Sequence, residues 1–261
     1  MQKGTSSDDM TDLQKKLAPF LQRSSARHFK TQTIPPQTLD LLLQCALQAP
    51  TSSHEQAFAI IDVTEPALRE ALAALCDNQQ WIVAASHFFV ICADLYKISA
   101  WADVPVDEMI PDVKLAAIVD AALVGMTLCH SAETIGLGSV MIGAVRNNVP
   151  EVVKLLQLPK GVFPLFGICL GYYEQRKKPK IRLPKESLVF KNTYQLPSTH
   201  ASYLDNFHTQ LIQYYEASKL EHETFRARAR QGTWLDWCKV VTTSKYREQI
   251  KEHLVQQGFD L

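Results

Sequence analysis

Apolar positions in the first part of the chain follow two periods, that of amphipathic helices and that of buried strands. Residues 10–22 carry apolar side chains three or four positions apart, which predicts an amphipathic helix. A second helix is expected over residues 35–49, because proline favours the first turn and the residue before Pro50 is pushed out of the helical conformation. Short runs of branched and aromatic residues predict strands at 57–63 and 87–93, the second a candidate central strand.

A long apolar helix is expected near the middle of the chain. Residues 114–135 are apolar nearly all round, so we expect this helix inside the molecule with other helices on both sides. Strands are predicted at 139–142 and 163–170, with a short helix over 150–156 between them. This alternation favours a mixed α/β or α+β core in which helices pack on a sheet.

The composition changes after Gly171, where cations and prolines become frequent and predict a segment on the surface. Residues 201–261 carry apolar side chains at helical spacing around a basic loop, 225–232. We therefore divide the chain into a core, residues 1–197, and a C-terminal helical extension, residues 198–261. The extension has an apolar face, so we expect it to pack on the core or on a partner subunit.

Composition and charge disfavour several classes of protein. Of the 261 residues 46% are hydrophobic, and 27 basic side chains balance 27 acidic ones, so no overall field attracts nucleic acid. Asp120 interrupts the longest apolar stretches, which fall short of the roughly 20 residues of a membrane span. The acidic first residues do not resemble a secretion signal. Singly spaced cysteines without metal-ligand spacing favour a cytoplasmic protein with no metal site.

Two polar segments are candidate ligand sites. Residues 23–29 place two arginines and two serines close together after a helix, and the fixed fork of an arginine suits a planar or phosphorylated anion. An ordinary solvated helix end is the alternative interpretation. Residues 49–56 offer hydroxyl groups and backbone N–H groups to the edge of a ligand, or form a plain loop.

Glycines flank the predicted strand at 139–142 and would let a ligand or another backbone come close. The segment is not the dinucleotide fingerprint, because Gly136 and Gly138 follow a helix and precede a strand, and Met141 stands at the third glycine position. A dehydrogenase without flavin is therefore disfavoured. A hydrolase is disfavoured as well, because the sequence has no G-x-S-x-G motif and no convincing Ser/His/Asp or Cys/His arrangement.

Together these segments resemble the nitroreductase superfamily, and most closely its oxygen-insensitive NADPH nitroreductases and NADPH-flavin oxidoreductases. The matching motifs, in the family's order, are RSSARHF at 23–29, APTSS at 49–53, NQQ at 78–80, FFVICAD at 88–94, IGLGSVMIGAVRNN at 135–148, VFPLFGICLG at 162–171 and KIRLP at 180–184. The resemblance implies an α+β fold with a central mixed sheet wrapped by helices. It also implies bound FMN and an intertwined homodimer with both active sites at the subunit interface.

The resemblance assigns FMN contacts by position. The residues expected to bind FMN are Arg23, Ser24, Ser25, Arg27, Ser52, Ser53, Gln79, Ile142, Gly143, Ala144, Lys180 and Arg182. The arginine segment would meet the phosphate and ribityl region, and Lys180 and Arg182 would reach the phosphate or the ring. The serine turn with Gln79 would meet the isoalloxazine and ribityl edges, and the backbone of residues 142–144 would lie along the flavin. The branch commonly has histidine in place of Arg23 and smaller or apolar residues in place of His54 and Glu55, so these positions bear on cofactor and substrate fit.

The arginines of residues 226–230 suit the 2′-phosphate of NADPH, for which the family uses basic residues of this region. Arg230 is the expected contact, helped by Lys219 and Arg226, and a solvated charge run is the alternative. No catalytic side chain is expected, because a flavin itself accepts and donates the hydride. The predicted activity is ping-pong transfer of two electrons from NADPH to nitroaromatic, quinone or flavin acceptors. An FMN-binding module or sensor with little turnover is the alternative function.

Overall fold

The chain divides into two compact units, residues 1–176 with 247–261 and residues 177–246. The structure, a computed structural model, describes residues 7–175, 177–194, 200–217, 232–244 and 247–261. The first boundary precedes the predicted division at residue 197 and lies close to the change of composition after Gly171, and the last fifteen positions return to the first unit. Whether residue 197 is a functional boundary remains a prediction.

Helices surround a small sheet in the first unit. Its elements are α1 (Ser7–Leu21), α2 (Pro36–Leu47), β1 (Phe58–Asp62), α3 (Pro66–Leu75), α4 (Trp81–Ala84), β2 (His87–Asp94), α5 (Tyr96–Ala102), α6 (Pro111–Thr134), β3 (Gly138–Ile142), α7 (Val149–Leu155), β4 (Val162–Gly171) and, at the end of the chain, α10 (Ile250–Gln256). Proline occupies the first turn of α2, α3 and α6, where its missing N–H costs no hydrogen bond. The α+β fold class is thus confirmed.

The strands have the order β1-β2-β4-β3, which makes β2 a central strand as predicted. Alternate side chains of β2 enter two clusters: Phe89 and Ile91 pack in one, Phe88 and Val90 in the other. Burial of both faces explains why this strand is a continuous apolar run.

The expectation of a mixed sheet was wrong for the part of the chain that is described, where every strand pairing is antiparallel. The connection between β1 and β2 shows the reason. Asp62, at the end of β1, pairs with Phe89, near the start of β2. The connection through α3 and α4 therefore leaves the sheet and returns to it at the same end of the strands. A connection of this kind makes neighbouring strands antiparallel.

Helix α6 packs on the sheet and on α2, but it is not covered all round. Leu115, Val119 and Leu123, four positions apart, are 51%, 48% and 40% exposed. The expectation of neighbouring helices on both sides was therefore wrong for the part of the chain that the structure describes. The expectation that the apolar stretches interrupted by Asp120 are too short for a membrane span was wrong, because α6 is long and apolar enough to cross a membrane. One side of it nevertheless lies in the core of the first unit, with Ala121 and Val124 fully buried.

The second unit contains α8 (His200–Ala217), α9 (Trp234–Thr243) and a short 3₁₀ turn, Lys185–Ser187. Thr233 and Asp236 form a capping box that begins α9, with reciprocal side-chain to backbone hydrogen bonds. The hydrogen bonds from the Thr233 backbone and hydroxyl lower the pKa of Asp236. Phe207 of α8 packs edge to face on Trp234, with ring centroids 5.5 Å apart.

Candidate active site

The arginine segment, residues 23–29, lies beside the start of β3 and the end of β4. The Ala26 N–H donates to the Ser139 carbonyl at 2.9 Å, and the Lys30 N–H donates to the Tyr172 carbonyl at 2.8 Å. A Cβ on Gly138 would lie 2.6 Å from the Cβ of Ala26, so only glycine permits this approach. The structure confirms the expectation that another backbone comes close at this end of β3.

Arg27 meets the loop that carries Gln79. Its guanidinium lies over the ring of Trp81, 5.7 Å from the ring centroid, and its side chain is partly buried. Gln79 follows two residues with left-handed backbone, Asp77 (φ 60°) and Asn78 (φ 54°), and is itself partly buried. The arginine segment and the 77–81 loop, distant in sequence, therefore border one region.

Arg23 faces a buried carboxylate. Its Nε is 3.6 Å from Oε1 of Glu133, a residue of α6 whose side chain is 2% exposed. The Ser139 hydroxyl donates to the same Oε1 at 2.6 Å. Arg23 therefore joins the arginine segment to α6, in addition to any contact with a cofactor.

The serine turn lies on another part of α6. Ser52 and Ser53 are exposed and belong to the 3₁₀ turn Ser52–His54, in which Ser53 (φ 48°) and His54 (φ 61°) have left-handed backbone. The Ser52 N–H donates to Oδ1 of Asp120 at 2.9 Å, and Asp120 is 1% exposed. The two serines are thus presented outward on a turn that the helix core anchors.

The end of β3 leads into a turn bordered by cations. Ile142 and Ala144 are buried, and the 3₁₀ turn Gly143–Asn147 follows the strand. A Cβ on Gly143 would lie 3.4 Å from Nη2 of Arg146 and 4.0 Å from Nη1 of Arg247. Arg146 donates to the Leu165 carbonyl.

Arg146 and Arg247, which border this turn, were not among the residues predicted to contact FMN. Arg146 lies inside the matched motif at 135–148, so the signal for it was present in the sequence. Arg247 lies one hundred positions after its partner Asn147, in a segment that carried no motif. Only the fold brings its guanidinium to the turn.

The arginine segment and the serine turn, both assigned to FMN, are attached to α6 at separate places. The arginine segment joins α6 at Glu133 and the serine turn joins it at Asp120. These attachment points are thirteen positions apart, which corresponds to about 20 Å along a helix. The arginine segment borders the 77–81 loop and the start of β3, while the serine turn is held well away along α6.

Lys180 and Arg182 belong to the second unit. Both side chains are exposed, and Nη1 of Arg182 lies 3.4 Å from the carbonyl oxygens of Lys180 and Ile181. They line a cavity of about 240 Å³ with aromatic side chains that include Phe207, Trp234 and Trp237. The expected NADPH contacts, Lys219, Arg226 and Arg230, lie outside the described residues.

Comparisons with known proteins cover both units. The family model "Nitroreductase family" matches residues 20–172, and "Nitroreductase family, C-terminal domain" matches residues 180–261. The chain is 35% identical over 242 residues to an oxygen-insensitive NADPH nitroreductase of Salmonella typhimurium, covering 90% of this chain and 94% of the relative. It is 30% identical over 246 residues to an FMN reductase (NADPH) of Bacillus subtilis, covering 92% and 96%.

Solved structures agree with these relatives. Nitroreductase A from Vibrio parahaemolyticus superposes with a TM-score of 0.84 at 29% identity, covering 94% of this chain and 98% of that one. NADPH:FMN oxidoreductase from Vibrio harveyi, complexed with NAD+, gives 0.83 at 27% identity over 94% and 98%. The resemblance found in the motifs is confirmed, and the chain belongs to the nitroreductase family.

Proposed function

We propose that this protein is an FMN-dependent NADPH oxidoreductase that reduces flat, electron-poor acceptors such as nitroaromatics, quinones or free flavin. The observation that carries the proposal is the arrangement along β3. The partly buried arginine segment lies at the start of the strand, and the glycine turn with two neighbouring guanidinium groups lies at its end. The two ends are about 14 Å apart at the rise of a β-strand.

The residues present along β3 fit FMN by their chemistry. Arg27, Ser24 and Ser25 supply charged and hydroxyl donors for a phosphate and a ribityl chain. Gly143 leaves room for a flat ring beside the backbone, since it has no Cβ. When bound, FMN would accept a hydride from NADPH and pass two electrons to the acceptor.

The chain's own groups would bind and orient rather than react. The guanidinium groups of Arg146 and Arg247 near Gly143 would favour negative charge at this edge, and fixed cations of this kind act without reorganisation. The ring of Trp81 would hold the guanidinium of Arg27 and exclude water from one side of it. Lys180 and Arg182 are proposed to add positive charge for the cofactor, and Lys219, Arg226 and Arg230 to bind the 2′-phosphate of NADPH.

Buried thiols agree with chemistry that needs no protein nucleophile. Burial raises the pKa of Cys129 to about 11 and that of Cys76 to about 12. It also raises the pKa of Cys92 and Cys169. A thiol must ionise to attack, so these four are unreactive near neutral pH. The described cysteines are all free, which supports the proposed cytoplasmic location.

A homodimer would complete the site. Because the serine turn and the arginine segment are attached about 20 Å apart on α6, the serine turn of one chain is proposed to meet the arginine segment of its partner. The exposed apolar stripe of α6, Leu115, Val119 and Leu123, supplies a surface for that association. The interface would thereby bring Ser52 and Ser53 to the cofactor.

The alternative, an FMN-binding module with little turnover, is supported by the residues after the serine turn. Glu55 is partly buried, and its Oε2 accepts no hydrogen bond within the described part of the chain. If the turn borders the flavin, a carboxylate there would disfavour the negative charge that reduction brings.

Anaerobic mixing with NADPH separates the two functions. We expect a yellow protein that bleaches with NADPH and is rapidly reoxidised by nitrofurazone or a quinone. Bleaching without reoxidation by any acceptor would favour the passive module. A colourless protein that cannot be loaded with FMN would contradict both.

A further inference from the structure

Helix α6 carries three almost fully buried charged side chains, Lys114, Asp120 and Glu133, and each contacts a different segment of the first unit. Lys114 pairs with Asp260, and Glu133 lies against Arg23. Asp120 differs from these two, because no described basic side chain forms an ion pair with it. Its Oδ2 is buried and, like Oε2 of Glu133, accepts no hydrogen bond from a described residue.

A buried carboxylate without a cation destabilises a fold, since its desolvation is not compensated by charge. An apolar side chain or an amide would serve stability better at that position. The one hydrogen bond that the described structure gives Asp120 is from the Ser52 N–H, at 2.9 Å to Oδ1. The carboxylate is therefore placed to serve the serine turn.

The serine turn needs such an anchor. Ser53, His54 and Gln56 have φ values of 48°, 61° and 53°, a backbone conformation that residues other than glycine adopt at a cost. Inside the turn, the Glu55 N–H donates to the Ser52 carbonyl at 2.9 Å, but the side chain of Thr51 does not cap it. A strained turn persists where its surroundings fix it, and Asp120 supplies a charge-assisted contact from outside the turn.

We propose that Asp120 is a positioning residue, which fixes the backbone of Ser52–His54 so that the hydroxyls of Ser52 and Ser53 are held ready for the cofactor. This inference rests on the proposed function, in which those serines contact FMN. Asp120 itself need not touch the cofactor. The negative charge strengthens the hydrogen bond to the Ser52 N–H, and the rigid α6 fixes where that bond points.

Hydrogen exchange on the full-length protein, with and without FMN, measures the anchor directly. The variants are Asp120→Ala, which removes the acceptor, and Asp120→Asn, which keeps an acceptor oxygen without the charge. Lys114→Met is the matched control, because it removes a charge of equal burial from the same helix whose partner, Asp260, lies outside the proposed FMN site. Flavin fluorescence gives the dissociation constant of FMN, and melting temperature reports overall stability.

In Asp120→Ala we expect the Ser52 amide of the flavin-free protein to exchange at least about tenfold faster, the factor for a lost hydrogen bond to a charged acceptor. The dissociation constant of FMN should rise by a similar factor. In Asp120→Asn the exchange rate of the Ser52 amide and the dissociation constant of FMN should stay close to those of the unaltered protein. Lys114→Met should lower the melting temperature and change neither of these two quantities.

Unchanged exchange at Ser52 in Asp120→Ala would overturn the inference, as would faster exchange with unchanged FMN affinity. An equal loss of FMN affinity in Lys114→Met would also overturn it, since general destabilisation would then explain the effect. Failure of the unaltered protein to bind FMN is a different result. It would reject the proposed function, and with it the cofactor role of Asp120, while the exchange rates still showed whether the anchor exists.

Discussion

Arg247 and Asn147, one hundred positions apart in the chain, are joined by two hydrogen bonds to a single oxygen. Nε and Nη2 of Arg247 donate to Oδ1 of Asn147 at 2.9 and 2.7 Å. The contact fastens the start of the last segment, residues 247–261, to the turn that follows β3. The C-terminal segment thereby supports the backbone that we assign to the flavin.

Replacing Arg247 with alanine is expected to loosen this turn. The loss of two hydrogen bonds from a charged donor should lower the free energy of unfolding by about 1 to 3 kcal/mol, measured by urea denaturation of the flavin-free protein. FMN affinity should fall as well. Lys251→Ala, an exposed change four positions later on α10, is the control and should leave both quantities unchanged. Equal unfolding free energies and equal FMN affinities in the two variants would show that the contact between Arg247 and Asn147 does not support the site.

Arg27→Ala should weaken FMN binding by at least about tenfold, because it removes a charge-assisted donor. Fluorescence titration of the flavin-free protein gives the dissociation constant. Lys30→Ala, an exposed cation three positions along the chain, controls for a general loss of positive charge. The same affinity in both variants would remove Arg27 from the site.

Charge on the exposed stripe of α6 should separate the proposed dimer. In Val119→Lys, a desolvated ammonium at the interface would oppose association, so light scattering should report monomers, and FMN should be lost with them. Val255→Lys, at a residue of similar exposure on α10, is the control. Dimers that retain FMN in Val119→Lys would place the interface elsewhere.

Arg230→Ala should raise the Michaelis constant for NADPH by about tenfold and leave that for NADH nearly unchanged, because only NADPH carries the 2′-phosphate. Steady-state rates with both donors test this. An equal change with both would contradict the assignment, and Arg226→Ala would then be compared in the same way.

Local patterns predicted much of the fold. The continuous apolar run of β2 identified a strand with two buried faces, and Pro36 located the start of a helix. Membership of the family followed from motifs spread along the chain. The all-round apolar character of α6 was interpreted as burial within one chain, whereas Val119 and its neighbours remain exposed. Hydrophobicity alone does not distinguish a core from an unpartnered face.

Tertiary contacts between distant charges could not be predicted. Nothing near Arg23 in the sequence indicates that α6 returns Glu133 to within 3.6 Å of its Nε. Asp120 likewise appeared only as an interruption of an apolar stretch, and its contact with the Ser52 N–H depends on how α6 packs against the serine turn. Such contacts depend on the packing of whole elements.

The central claim is that two copies of this chain together hold FMN. Size-exclusion chromatography with light scattering, recorded together with visible flavin absorbance, measures mass and cofactor content in one experiment. The account predicts a single yellow species of twice the 29.4 kDa chain mass, with one FMN per chain. A yellow monomer, or a dimer that stays colourless after incubation with FMN, would contradict it.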